Sequence, residues 1–374
     1  MDSSGCTDLS SDVLSLISTF LTNNSAYIRF RSVCAQWRRA AAPEPRHLPP
    51  QLPLLLLDGV RVLGPSTKTW EHNTQLLRET EGRRCYASSH GWLVLDGEDR
   101  DVVLFNPITR NKISLPPLTS LPFVLNHIVS GVDQRYVIHG GSTLTGTQMR
   151  DYAIKKIVLS SNPNPSSADN CVAMAIMKST CSTIGFCRGG DTTWITTDIR
   201  AYVWDICHSD GLFYSLDNSP RITVWDDKSP TSIATFALGR ILGSLNAVLE
   251  RYLVGTSDGL LMVIRCVCYN YYGVRTTCFK VYKVDFDSTG AGIPRQMKML
   301  GNRALFVGGH NSLSMPSTQG FPRENGIYFV DYYNGKHYMK VYNLADGNVE
   351  ILAEVDRYKH ASPPTAIWFT PSLS

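Results

Sequence analysis

The sequence predicts a mainly β protein that begins with a small α-helical domain, and two observations lead to this prediction. Apolar residues recur at helical spacing between residues 9 and 42. Beyond a proline-rich stretch, short β-branched and aromatic runs alternate with Asp-Gly and Asn-Gly pairs, which are typical of β-hairpins. With 374 residues and 43% hydrophobic content, the chain is long enough for one large domain and one small domain.

The first predicted helix has a wider apolar surface than one core face requires. Ser10 or Ser11 can cap it, and Asp12 places a negative charge in its first turn. At ~100° per residue, its apolar side chains cover an arc of about 160°. The members of this arc are Leu9, Val13, Leu14, Leu16, Ile17, Phe20 and Leu21. Because a helical unit this small cannot bury much surface by itself, the excess apolar surface is expected to dock either on the β domain or on another protein. The proline-rich stretch that separates the two domains favours another protein.

A second helical run and a proline-rich segment complete the N-terminal region. After a break at 23–25, the apolar positions of the second run are Ala26, Phe30, Val33 or Cys34, Trp37 and Ala41. Residues 43–53 contain five prolines in eleven residues, which favours a stiff extended connector. We therefore predict a helical domain at 1–43, a linker at 44–53 and a β domain at 54–374.

The β domain carries a loose repeat. A turn and a short apolar strand are followed by a second strand that ends in an aromatic residue, with first strands near 91, 211, 259, 303 and 326. One unit roughly every 45 to 50 residues, over about 320 residues, predicts a β-propeller of six or seven blades. A pair of β-sandwiches is the main alternative, because the repeat is degenerate.

Patterns that would indicate catalysis or metal binding are weak. Residues 255–259 match the G-x-S-x-G motif, which would make Ser257 the nucleophile of a hydrolase. The strand-like sequence that follows favours a hairpin turn instead. None of the ten cysteines has the spacing of a zinc site, so we expect buried free thiols. We predict no catalytic residue, no metal and no cofactor.

Several aromatic and basic residues have two interpretations. A ligand-binding cage could contain Tyr202, Trp204, Trp225, Tyr269, Tyr271 and Tyr272, although packing between blades is the simpler interpretation. The pairs Arg83-Arg84 and Lys155-Lys156 are expected on the solvated surface. Lys plus Arg exceed Asp plus Glu by 36 − 32 = 4, an excess that does not indicate nucleic-acid binding.

The sequence also suggests where the protein resides. No apolar run approaches the ~20 residues of a membrane span, so we expect no membrane association. The first residues, MDSSGCTDLSSD, have the pattern of neither a signal peptide nor a transit peptide. We predict a cytoplasmic and/or nuclear protein.

The N-terminal segment resembles an F-box. The usual form of that motif is Leu-Pro-x-Asp/Glu-x-Leu-x-x-Ile, a short break, and then Arg-x-Val-Cys-x-x-Trp-Arg. The matching residues are Leu9, Asp12, Leu14, Ile17, Leu21, Arg31, Val33, Cys34, Trp37 and Arg38. Ser10 stands where the family has a proline.

The rest of the chain is similar to plant F-box proteins that carry a C-terminal domain of unknown function 295, a kelch-like β-propeller. The segments that carry this resemblance are 103–118, 190–194, 211–226, 300–315, 325–331 and 367–373.

The resemblance implies the substrate-receptor subunit of an SCF (Skp–cullin–F-box) ubiquitin ligase, which performs no bond chemistry itself. The implied partners are a Skp-type adaptor, through it a cullin ligase, and an unknown target protein. The residues expected to contact the adaptor, or to pack behind the contact, are Leu9, Asp12, Leu14, Ile17, Phe20, Leu21, Arg31, Val33, Cys34, Trp37 and Arg38. A stand-alone propeller that assembles with no ligase is the alternative.

Overall fold

The structure is a computed structural model. It describes residues 9–21, 24–42, 45, 47–48, 52–57, 61–63, 70–71, 78–80, 83–96, 101–130, 133–177, 183–199, 201–228, 230–238, 248–271, 273–286, 292–318, 321–356 and 366–372. Predictions that concern Cys6, Cys181, Tyr272, the Asp58-Gly59 pair and most of the proline-rich segment lie outside these residues.

Three short helices form the N-terminal unit: α1 (Ser11–Thr19), α2 (Asn24–Ser32) and α3 (Ala35–Ala40). Ser10 caps α1, because its Oγ accepts a hydrogen bond from the backbone N–H of Val13 at 3.3 Å. The run predicted after residue 25 is divided into α2 and α3, since Cys34 adopts an extended backbone with φ −160°.

The three helices pack around a small hydrophobic core of their own. Its buried members are Leu14, Tyr27, Phe30, Ala41 and Leu48, with Ile17, Leu21, Trp37 and Ala40 packed against them. The Tyr27 hydroxyl donates to the carbonyl of Ala42 at 2.7 Å, which holds the chain after α3 against α2. Leu48 belongs to the predicted linker, so the helical unit extends into that segment.

The remaining chain forms short sheets whose strand pairings are antiparallel with one exception. Blade 1 contains β1 (Leu54–Leu57), β2 (Arg61–Leu63) and β3 (Trp70–Glu71), and blade 2 contains β4 (Cys85–Ser89), β5 (Trp92–Asp96), β6 (Val102–Phe105) and β7 (Lys112–Leu115). An inserted sheet follows, with β8 (Val124–Ser130), β9 (Asp133–Ile138) and β10 (Thr143–Thr145), and then helix α4 (Gly146–Tyr152).

Blades 3 and 4 have four strands each. Blade 3 contains β11 (Ile154–Leu159), β12 (Val172–Met177), β13 (Thr183–Arg188) and β14 (Ile195–Asp198). Blade 4 contains β15 (Val203–Ser209), β16 (Leu212–Asp217), β17 (Arg221–Asp226) and β18 (Ser232–Ala237).

Blades 5 and 6 share one continuous sheet. Blade 5 contains β19 (Val248–Thr256), β20 (Gly259–Asn270), β21 (Gly273–Phe286) and β22 (Gly292–Met297). Blade 6 contains β23 (Arg303–Phe306), β24 (Leu313–Pro316), β25 (Gly326–Tyr333), β26 (Lys336–Asn343) and β27 (Val349–Asp356). Among the described strands, the one parallel pairing joins β23 to β25. The last strand, β28 (Ala366–Phe369), pairs with β1 and so completes blade 1.

The six blades form a closed ring. A separate hydrophobic cluster fills the space between each pair of consecutive blades, including the pair formed by blade 6 and blade 1. Strand β12 shows the pattern, because Met174 faces the cluster shared with blade 4 while Ala175 faces the one shared with blade 2. The prediction of a β-propeller is confirmed, with six blades in the described residues, and a pair of sandwiches is excluded.

The predicted hairpin turns also form. Asp210-Gly211 and Asn334-Gly335 both place two successive residues at positive φ, as a two-residue turn between antiparallel strands requires. Ser257 lies in the turn between β19 and β20, and a strand begins at Gly259. The hydrolase elbow needs a helix at that point, so the interpretation as a hairpin turn is confirmed.

The hairpin of β20 and β21 reaches beyond blade 5 and joins blade 6. These strands have 12 and 14 residues, and Gly273 pairs with Tyr333 of β25 at the hairpin tip. Gly273 has φ +135°, and a Cβ at this position would lie 2.2 Å from the carbonyl oxygen of Tyr332. A residue with a side chain would therefore prevent the close approach of the two blades.

The prediction of buried cysteines is correct for most of the described residues. Cys85, Cys171, Cys187, Cys207 and Cys266 are buried thiols. Cys268 is exposed, so the prediction is wrong at that position, because β20 extends beyond the blade there. None of the helices in the described part of the chain combines the length and hydropathy of a membrane span.

Candidate functional site

The apolar arc of α1 is divided into an inner half and an outer half. Leu14, Ile17 and Leu21 point inward and belong to the core of the helical unit. The other four members stay exposed: Leu9 by 39%, Val13 by 42%, Leu16 by 58% and Phe20 by 74%. We call these four residues the outer face of α1. Val13, Leu16 and Phe20 lie within about 60° of one another at ~100° per residue, and Leu9 precedes the capping residue Ser10.

The described residues of the propeller leave the outer face of α1 exposed. Val33 is 47% exposed between α2 and α3, and it adds a further apolar side chain to the surface of the helical unit. Large apolar side chains that cluster on a surface mark a binding surface more often than isolated ones do.

The other predicted site residues divide between packing and surface. Trp37 packs on Phe30, with 4.5 Å between ring centres, and therefore supports the core. Arg31 is half-buried, and burial lowers the pKa of its guanidinium. Arg38 is exposed, and its Nε donates to the carbonyl of Arg31 at 3.3 Å. Asp12 is exposed, and Cys34 is half-buried at the start of α3.

Two residues of the outer face are absent from the predicted site. Val13 and Leu16 do not belong to the positions that match the F-box pattern, although both belong to the apolar arc. The width of the apolar arc could therefore have predicted Val13 and Leu16 as site residues, since a motif match considers only the fixed positions of the motif.

Nothing among the described side chains suggests a metal centre in this surface. No group of three or more His, Cys, Asp or Glu residues in the described part of the chain is placed to hold an ion. The outer face is apolar, and what it offers chemically is the burial of hydrophobic surface against a partner.

Comparisons with known proteins agree with this architecture. The KIB1-4 beta-propeller family matches residues 63–343. The F-box protein SKIP23 of Arabidopsis thaliana is 25% identical over a match that covers 97% of this chain and 95% of the relative. The F-box protein At2g17036 of the same plant is 22% identical, with 97% and 94% covered.

A solved β-propeller domain of Cps50 (Swd1) from Myceliophteria thermophila is 8% identical, with a TM-score of 0.34, and the match covers 74% of this chain and 86% of that one. The predicted resemblance to plant F-box proteins with a C-terminal propeller is confirmed, while the assignment to domain of unknown function 295 stays a prediction. Because the family match spans more than half of the chain, this protein belongs to the KIB1-4 β-propeller family.

Proposed function

We propose that this protein is the substrate receptor of an SCF-type ubiquitin ligase and that the outer face of α1 binds a Skp-type adaptor. The observation that carries the proposal is the division of the α1 arc, in which one half builds the helical core and the other half stays exposed. The F-box-like sequence of the same segment supports it, and so does the similarity to relatives that are named as F-box proteins.

Burial of the outer face would provide a large part of the binding energy. Fully burying one Val, Leu or Phe side chain contributes roughly 1.5–3 kcal/mol, and the outer face offers four partly exposed side chains. Phe20 is the most exposed of them and is the expected anchor, since aromatic anchors commonly dominate interface energies. Asp12 and Arg38 are also exposed, and we assign them to the rim, where charges mainly tune the association rate.

The remaining predicted residues would act indirectly. Leu14, Ile17 and Trp37 pack inside the helical unit and hold the outer face in its helical geometry. The receptor itself would break no bond. It would raise the local concentration of target lysines near a ubiquitin-charged enzyme, which is an effective-concentration effect.

The test is adaptor binding by the full chain. Phe20→Asp and Leu16→Asp place a charge on the outer face, and each should weaken binding of a purified Skp-type adaptor at least about tenfold, because the charge would be buried unpaired. Ser15→Asp is the matched control, since Ser15 is exposed on the same helix but lies outside the apolar arc.

Equal adaptor binding by Phe20→Asp, Leu16→Asp and Ser15→Asp would contradict the proposal. Failure of the unaltered chain to bind any Skp-type adaptor would favour the stand-alone propeller instead. Residence in the cytoplasm and/or nucleus and the absence of an enzymatic activity stay predictions of the same proposal.

A further inference from the structure

A cavity of about 510 Å³ lies on the axis of the propeller. All six blades or the segments that lead into them contribute to its lining, which includes Arg84, Lys155, Trp204, Arg251, Val330 and Trp368. The volume lies within the range of small-ligand sites, ~300–1,000 Å³, and the lining combines apolar and aromatic surface with a few convergent polar groups.

Two cations that line this cavity belong to no ion pair among the described residues. Lys155 and Arg251 form no ion pair with any carboxylate of the described residues. The other charged side chains of the lining are paired: Arg84 with Asp151, Arg265 with Glu250 and Asp331, and Asp205 with Lys156. The lining therefore carries an excess of positive charge.

Neutral groups hold Lys155 in place. Its ammonium donates to the hydroxyl of Tyr202 at 3.2 Å and to the carbonyls of Val203 at 3.3 Å and Trp204 at 2.6 Å. The same nitrogen lies 4.9 Å from the ring centre of Tyr202. Hydrogen bonds and ring faces orient the ammonium, but they leave its positive charge uncompensated.

Arg251 is a second cation beside the indole ring of Trp204, whose centre also lies 5.8 Å from the ammonium nitrogen of Lys155. Its guanidinium carbon lies 5.1 Å from the ring centre of Trp204. Burial lowers the pKa of Arg251, and the charge of Asp217 only partly opposes this effect. Burial of the guanidinium therefore has a cost that a bound negative charge would offset.

The unpaired polar atoms of the lining are all hydrogen-bond donors. Among the described residues, Nε of Arg84, Nε1 of Trp204, and Nε and Nη1 of Arg251 are buried without an acceptor in the protein. Buried donors without acceptors are costly. Because these four atoms are closed to solvent, a ligand oxygen reaches them only when the side chains turn toward the cavity. An anionic group in the cavity would balance the charge of the two cations directly.

We propose that the axial cavity binds an anionic oxygen group, a phosphate or a carboxylate, between Lys155 and Arg251. The planar guanidinium suits two-point contact with such a group, and the ammonium supplies a compact second charge. The group could belong to a free small anion or to an acidic segment of a bound protein. The proposal is independent of adaptor binding, because the cavity lies in the propeller and the outer face of α1 does not line it.

The experiment measures binding of two probes to the full chain by calorimetry at low ionic strength. Inorganic pyrophosphate represents a free anion, and a capped hexaglutamate peptide represents an acidic segment. Arg251→Gln and Lys155→Gln should each raise the dissociation constant of the bound probe at least about tenfold, since each removes a positive charge that no carboxylate in an ion pair balances. Arg251→Lys and Lys155→Arg keep the charge and should recover part of the affinity, because the two-point contact of the guanidinium is lost or moved.

Arg295→Gln is the matched control, because Arg295 is exposed on blade 5 and paired with Asp285 outside the cavity. It should leave the dissociation constant within about twofold. If the cavity variants weaken the binding of pyrophosphate, the ligand class is a free anion. If they weaken the binding of the peptide, the ligand is an acidic segment of a protein. Binding of neither probe, or equal loss in Arg295→Gln and Arg251→Gln, would overturn the proposal.

Trp204→Phe separates the donor from the ring. The variant keeps an aromatic face beside both cations and removes the indole N–H. It should therefore lower the affinity for the probe by less than the loss of a charge does. A variant that no longer folds would show an altered near-ultraviolet circular dichroism spectrum. In that case Arg251→Lys, which retains the charge, and Arg251→Gln must still differ for the proposal to stand.

Discussion

Lys156 and Asp205 form a buried ion pair between blades 3 and 4, with 2.6 Å between Nζ and Oδ1. The two side chains are only 1% and 2% exposed. The other carboxylate oxygen of Asp205 accepts a hydrogen bond from the backbone N–H of Leu253 in blade 5 at 2.8 Å. One carboxylate therefore links three consecutive blades. The prediction that Lys155 and Lys156 form a solvated pair is wrong for Lys156.

Removal of one partner of this pair should destabilise the propeller strongly. Lys156→Met leaves Asp205 buried and unpaired, and we expect it to lower the free energy of unfolding by about 3–5 kcal/mol. Lys336→Met is the control, because Lys336 pairs with Glu354 at the surface and its loss should cost at most about 1 kcal/mol. Denaturant unfolding measures both variants.

The double variant Lys156→Met, Asp205→Leu should be more stable than Lys156→Met alone, since it removes the unpaired charge together with its partner. Additive losses in this double-mutant cycle would contradict the role of the ion pair.

Asp331 should make the stability of the propeller dependent on pH. Burial opposes its ionisation, but hydrogen bonds from Lys340 and Thr276 and the charge of Arg265 outweigh burial and lower its pKa below the usual 3.8. Since the pKa is lower in the folded state, the stabilisation is complete above pH 3.8 and is lost as the pH falls through the folded-state pKa. Melting temperatures between pH 7 and pH 3 measure the effect.

Asp331→Asn should reduce the fall of the melting temperature at low pH, and it should also lower the melting temperature at pH 7. An Asp285→Asn variant is the control, because the pair of Asp285 with Arg295 is exposed. The same acid dependence in Asp331→Asn and in the unaltered chain would assign the effect to other carboxyl groups.

Gly273 should be the most sensitive glycine of the β20–β21 hairpin. Gly273→Ala forces a side chain into positive φ and places its Cβ against the carbonyl of Tyr332. Gly190→Ala is a matched control, since Gly190 also has positive φ but nothing within 4 Å of its Cβ position. We expect the control to cost about 1–2 kcal/mol from conformation alone, and Gly273→Ala to cost clearly more in thermal unfolding. An equal loss of stability in the two variants would show that the backbone of blade 6 moves to accommodate the added Cβ, which would contradict the prediction.

Thiol labelling should distinguish Cys268 from the buried cysteines. Cys268 is exposed near the tip of the hairpin, whereas burial raises the pKa of Cys85 to about 12. Because the thiolate is the reactive form, brief alkylation at pH 8 should modify Cys268 and leave Cys85 unmodified, as measured by peptide mass spectrometry. Denaturation with urea provides the control in which both react. Rapid labelling of native Cys85 would contradict the packing between blades 1 and 2.

The local features of the fold could be predicted because they depend on residues close together in sequence. The helical spacing of 9–42, the hairpin pairs at 210–211 and 334–335 and the strands that follow them all form as expected. The break at Cys34 escaped prediction, since the apolar spacing continues across it. The assignment of Lys156 to the surface failed because a Lys-Lys pair says nothing about a carboxylate 49 residues away.

By itself, the sequence determined the fold class, the turns and an apolar arc on α1 too wide for one core. These follow from periodicity and turn chemistry, which act over a few residues. Only the tertiary structure decided that Leu14 faces inward and Phe20 outward, and that Lys155 and Arg251 both lie beside the indole ring of Trp204. The position of Leu14 depends on packing of the three helices, whereas the cavity that holds Lys155 and Arg251 depends on closure of the ring, in which Leu54–Leu57 pairs with Ala366–Phe369 from the far end of the chain. Burial and charge balance are set by neighbours in space, and spacing along the chain does not record them.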